Sequence, residues 1–169
     1  MTARRFIQAA LLLVLFPVIG WTNDGLHIKD AWIRMAPPGS PMAGYFNLTN
    51  HGSDDIKLVK ASSGDFAHTM IHRSFMDGEI MKMEHVDAIE LTPGKSTEFK
   101  PGGYHLMLMK PGKTLAAHDK VNVNLEFSDG STMVVEFMVK SLEESMKMDS
   151  TDHSGHGSSE DHSKHGTNE

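Results

Sequence analysis

The shortness of its apolar runs limits what this chain can fold into more than any other feature. Between residues 27 and 142 no helical period lasts ten residues. Instead, β-prone runs fall at 26–35, 44–49, 56–62, 69–75, 80–85, 88–91, 97–100, 105–110, 121–127 and 133–140. Val121, Val123, Leu125 and Phe127 alternate with Asn122, Asn124 and Glu126, the pattern of a strand with one face buried and one in water. The runs on either side of Ser128-Asp129-Gly130 read as a hairpin, and Pro37-Pro38-Gly39, Thr92-Pro93-Gly94, Pro101-Gly102-Gly103 and Lys110-Pro111-Gly112 punctuate the others. With 39% apolar residues in 169, the chain can bury one core. An all-β Greek-key sandwich or barrel of about seven to nine strands is expected.

Both ends differ in character from this middle. Arg4 and Arg5 precede an apolar run over residues 9–21 that is too short to span a bilayer, so residues 1–22 read as a cleaved signal peptide of an exported protein. No later stretch is apolar enough to insert in a membrane. Residues 23–142 form the expected folded domain, and 143–169 a disordered tail rich in His and Met. Residues 149–169 contain no apolar side chain and cannot offset the entropy of ordering. The tail repeats Asp-His-Ser-x-His-Gly, placing His153 and His156, then His162 and His165, behind Met146 and Met148. Such a tract can capture metal without folding, and its imidazoles and carboxylates suit Cu(II).

The composition also restricts the chemistry. There is no cysteine, which excludes disulfides, thiolate metal sites, thiol nucleophiles and lipid attachment through a cysteine. The net charge is -6 with no basic cluster, which excludes nucleic acid as a partner. There are 13 methionines and 11 histidines. Among them His72, Met83, His105 and Met107 stand in the pattern H-x10-M-x21-H-x-M, with His105 and Met107 on one face of a strand. Imidazole and thioether are neutral, soft to intermediate ligands, a set that favours Cu(I) over hard cations. Methionine is more often core filler, the reading given to Met81, Met109, Met133 and Met138. His27, His51, His85 and His118 read as surface residues. Met35, Met42, Met70 and Met76 stay open.

The segments Met81-Lys82-Met83 and Pro101-Gly102-Gly103-Tyr104-His105-Leu106-Met107-Leu108-Met109, together with the full H-x10-M-x21-H-x-M spacing, resemble the periplasmic copper chaperone family often called PCu(A)C. Ala31-Trp32-Ile33-Arg34, Ala43-Gly44-Tyr45-Phe46, Leu48, Asn50 and Gly52 resemble its opening strands, so the likeness covers about residues 28–140. It implies a cupredoxin-like β-sandwich and Cu(I) held by His72, Met83, His105 and Met107. It also implies a periplasmic, non-enzymatic role delivering copper for cytochrome c oxidase assembly, with the oxidase copper-site subunit and Sco-type copper proteins as partners. Arg73-Ser74 stand where many relatives have a methionine after the first histidine, which leaves His68 or Met70 as secondary contacts. The tail resembles extensions associated with additional copper binding. A periplasmic copper buffer would need the same residues, and a secreted copper oxidoreductase would need an open coordination position. A sugar- or protein-binding sandwich is the remaining alternative.

Overall fold

The computed structural model describes residues 25–151, with side chains to residue 147. The expected signal peptide and the tail histidines His153, His156, His162 and His165 lie outside the described residues. All ten β-prone runs form strands: β1 (Leu26–Arg34), β2 (Met42–Asn50), β3 (Ile56–Ser62), β4 (Phe66–Asp77), β5 (Ile80–His85), β6 (Ile89–Leu91), β7 (Ser96–Phe99), β8 (Tyr104–Pro111), β9 (Lys120–Phe127) and β10 (Thr132–Lys140). They hydrogen-bond in the order β5-β4-β8-β7-β2-β1-β10-β9-β3-β6, with β8 also pairing β2. β1 runs antiparallel to β2 and parallel to the final strand β10, the crossing expected of a Greek key. The sheet doubles back until β3 lies against β4, so two layers enclose the core.

Alternation decides which side chains fill that core. Val121, Val123, Leu125 and Phe127 are all buried, as the pattern requires. Phe46 stacks on Phe99 with ring centroids 4.0 Å apart and meets Phe137 edge-on at 5.6 Å. Gly44 makes this packing possible: a Cβ there would sit 3.3 Å from Leu106 Cβ and 3.3 Å from Leu108 Cδ1. The buried Asn50 donates from Nδ2 to the Leu91 and Asp54 carbonyls and accepts from the Gly52 N–H, which ties the β2–β3 loop to β6.

One irregularity matters for the outer surface. Asp30 adopts φ 55°, and the β1–β2 register shifts between Lys29 and Trp32. The extra residue of this bulge reverses the alternation. Leu26 is buried before it, Ile33 is buried after it, and Trp32 is moved to the opposite face, across from Tyr45.

Two expectations need correction. A disordered tail was expected from residue 143, but the chain continues as helix α1 (Leu142–Thr151). Ser141 and Glu144 form a capping box. The Glu144 N–H donates to Ser141 Oγ at 3.2 Å, and the Ser141 N–H donates to Glu144 Oε2 at 2.9 Å. Lys147 then pairs with Glu143 one turn back. Met81 and Met138 are not core filler; both are exposed on outward-facing strand positions.

Replacing Gly44 by valine should overpack the junction of β2, β8 and Phe137 and cost about 1–3 kcal/mol. Chemical denaturation measures it, and a loss below about 0.5 kcal/mol would show that Leu106 and Leu108 yield freely.

Candidate metal centre

The register of three strands builds the site. β4 pairs β8 so that His72 faces His105 and Met70 faces Met107, and it pairs β5 so that His72 faces His85 and Ser74 faces Met83. Residues directly opposite in an antiparallel pair share a face. His72, Met83, His105 and Met107 therefore all project from one side of the β5-β4-β8 layer. The other side carries Ile71, Leu106 and Leu108, which are buried and anchor the layer to the core.

A row of rings crosses this face at right angles to the strands. The centroid separations are 5.5 Å for His85–His72, 6.1 Å for His72–His105, 6.4 Å for His105–Tyr45 and 4.7 Å for Tyr45–Trp32. The Arg34 guanidinium lies 5.4 Å from the Tyr45 ring and 5.7 Å from the Trp32 ring, so the bulge in β1 supplies the far wall of the row.

His105 is held in one tautomer. The residue is only 6% exposed, and Nδ1 lies 3.1 Å from the Gly103 carbonyl. A carbonyl only accepts, so Nδ1 carries the proton and Nε2 keeps its lone pair, the usual arrangement for a metal-binding histidine. The same carbonyl accepts the Ser74 N–H at 3.0 Å, which fixes the turn before β8 to β4. Gly102, at φ 75°, allows that turn.

His72 has the complementary property. Its Nδ1 is buried without a hydrogen-bond partner among the described residues. Such a group costs about 1–3 kcal/mol and marks a nitrogen that a ligand would satisfy. Burial first, then the His105 and His85 rings, hold the His72 imidazole below its ordinary value of 6.5, so it stays neutral at neutral pH.

The thioethers stand at unequal reach. Met107 and Met70 lie two residues, about 7 Å along the strands, to one side of the His72–His105 row. Met83 lies as far to the other side and one strand further out, 57% exposed, and must extend across the small Ser74. The structure thus groups His72, His105 and Met107 closely and sets Met83 on the same face at its margin. Met146 is exposed on α1, and Met148 falls on the same helix beyond the described side chains. Among the described residues there is no group of three or more His, Cys, Asp or Glu arranged to hold a metal.

His85 is exposed, as the sequence reading has it, but it also lies directly across from His72, which that reading missed, and Met70, left open there, faces Met107. A shallow cleft lined by Val59, Met70 and His85 opens beside them. Both share parity with site residues on their own strands. Parity alone was not enough, because the cross-strand register brings them into the row.

Residues 26–139 match the family described as "LpqE-like: Putative lipoprotein LpqE-like", and the chain belongs to it. "Putative lipoprotein Lxx21020" of Leifsonia xyli subsp. xyli is 32% identical over 122 residues, covering 72% of this chain and 73% of that protein. "Uncharacterized protein RP573" of Rickettsia prowazekii is 34% identical over 119 residues, 68% of this chain and 66% of that one. Among solved structures, the copper-bound PCuAC domain from PmoF2 superposes with a TM-score of 0.58 at 20% identity, over 72% of this chain and 97% of that domain. Apo-DR1885 from Deinococcus radiodurans gives 0.56 at 25% identity over 83% and 95%, and its Cu(I) form gives 0.51 at 28% over 73% and 81%. The all-β, cupredoxin-like Greek-key sandwich expected from the sequence is therefore the fold. The word lipoprotein belongs to the relatives: this sequence has no cysteine to carry a lipid.

NMR titration of the apo protein should place the His72 midpoint below 6.5. As pH falls from above 6.5 through that midpoint, the unfolded chain binds its proton first, so stability declines; the decline should be smaller in His72→Gln. A midpoint at or above 6.5 would contradict the burial of this ring.

Proposed function

We propose that this LpqE-like protein is an exported copper chaperone. It holds Cu(I) through His72, Met83, His105 and Met107 and passes it on for assembly of the copper site of cytochrome c oxidase. The observation that carries the reading is the His72–His105 pair. One ring is locked by Gly103 with its Nε2 unprotonated, the other has a buried nitrogen with no partner among the described residues, and thioethers flank both. Neutral nitrogen and sulfur donors favour Cu(I) and do not over-stabilise Cu(II). The Cu(I) form of DR1885 among the similar structures supports the same metal.

The site suits transfer better than catalysis. Met83, on an exposed edge strand, is the ligand a recipient can replace first, with Met107 and the two imidazoles following as the ion leaves. The oxidase copper-site subunit and Sco-type proteins are the proposed recipients, met in the periplasm after removal of residues 1–22. Residues His153, His156, His162 and His165, with Met146 and Met148, collect further copper as Cu(II) and raise its concentration near the folded domain.

Met107→Leu and His105→Ala should each lower Cu(I) affinity by more than about 100-fold, beyond the loss seen for disturbed outer-shell partners. Met107→Leu should change stability by less than about 1.5 kcal/mol, because leucine preserves apolar volume. Competition with a Cu(I) chelator and chemical denaturation check both values. Unchanged affinity in both variants would remove these residues as ligands.

Deleting residues 149–169 should abolish most Cu(II) binding and leave the tight Cu(I) site intact. Metal stoichiometry in each oxidation state measures this, and full retention of Cu(II) would reduce the tail to a solubilising extension.

A further inference from the structure

The β4–β5 hairpin extends beyond the layer that carries the proposed copper site. Among the described residues β5 is an edge strand that pairs only β4, and every one of its residues is exposed. Asp77 faces Ile80 across a two-residue turn in which Gly78 adopts φ 63°, so the hairpin is tightly closed. Just inside this turn Met76 faces Met81, and Met83 follows on the same face of β5. All three are exposed, by 56%, 59% and 57%.

Directly opposed residues place their Cβ atoms about 4.5–5.5 Å apart, and residues i and i+2 of a strand lie about 7 Å apart on one face. Three unbranched side chains from such positions can converge on one ion. The opposite face of the hairpin is built differently: Arg73 lies over Phe75 and Tyr104, and Lys82 pairs with Asp77. Sulfur is thus confined to the face that leads to His72. These methionines contribute nothing to the core, although burying one would stabilise the fold by about 1.5–3 kcal/mol.

We propose that Met76, Met81 and Met83 form a second, weaker site for a soft monovalent cation, Cu(I) or Ag(I), at the hairpin tip. Three neutral thioethers, with no carboxylate at the paired strand positions beside them on that face, disfavour hard divalent ions. Taking the His72–His105 site of the proposed function as the tight one, Met83 is the ligand common to both, the second lone pair of its sulfur bridging to the tip ion when both sites are filled. An ion taken up at the tip moves inward by exchanging Met76 and Met81 for the two imidazoles and Met107.

The test is a titration of the full chain with Ag(I), following the ε-methyl groups of 13C-labelled methionine and the imidazole signals, which separates this site from the tail. Met107 and the His72 and His105 rings should respond first, and Met76 and Met81 at the following equivalents. In the Met76→Leu, Met81→Leu double variant, affinity in the later step at Met83 should fall at least tenfold, with the first step unchanged. Met76 and Met81 signals that stay still under excess Ag(I) would overturn the tip site, whatever Met107 does. Movement of Met76 and Met81 without Met107, His72 or His105 would uphold the tip site and count against the proposed function alone.

Discussion

The pairing of β4 with β8 is the constraint on which the rest of this structure depends. Side chains alternate along a strand, so a slip of one residue in β4 would turn His72 into the core and Ile71 into water, and one in β8 would do the same to His105 and Met107 and to Leu106 and Leu108. The apolar face therefore holds the register of the donor face. Fully burying a Leu or Ile contributes about 1.5–3 kcal/mol, so three such residues far outweigh the cost of leaving one His72 nitrogen unpartnered. Gly44 belongs to the same device, because its missing Cβ lets Leu106 and Leu108 seat against β2.

Much of this was legible in the residues. The alternation at Val121–Phe127 and the Gly and Pro turn signals located every strand, since strand period and turn chemistry are local properties. His105 and Met107 could be placed on one face from their spacing alone. The pairing of strands distant in sequence is not local, so neither the approach of His85 to His72 nor that of Met70 to Met107 could be read from their own segments. The bulge at Asp30 was hidden for a related reason. Leu26 and Ile28 have one parity and Ile33 the other, a change that is visible in the sequence but that only a positive φ at Asp30 explains. The helix after residue 141 was missed because composition suggested disorder, while the Ser141-x-x-Glu144 capping signal lay just before the polar tract.

The site combines a rigid half and a yielding half. His105 is buried, pinned by Gly103 and walled by Tyr45, Trp32 and Arg34, so its lone pair keeps a fixed direction. Met83 sits on an edge strand with both faces open and can move at little energetic cost. For the chaperone proposed above, this asymmetry would let the pinned His105 fix the position of the ion while the exposed Met83 offers a recipient its first point of attack. Neutral donors also keep the apo site free of the charge repulsion that a cluster of carboxylates would bring.

The central claim is that nitrogen and sulfur from this one sheet face share a single Cu(I). X-ray absorption spectroscopy of the protein loaded with one equivalent of Cu(I) tests it most directly. The account predicts a shell with two nitrogen and two sulfur scatterers, the sulfur signal weakening in Met107→Leu. A shell of nitrogen and oxygen alone, unchanged in that variant, would contradict it.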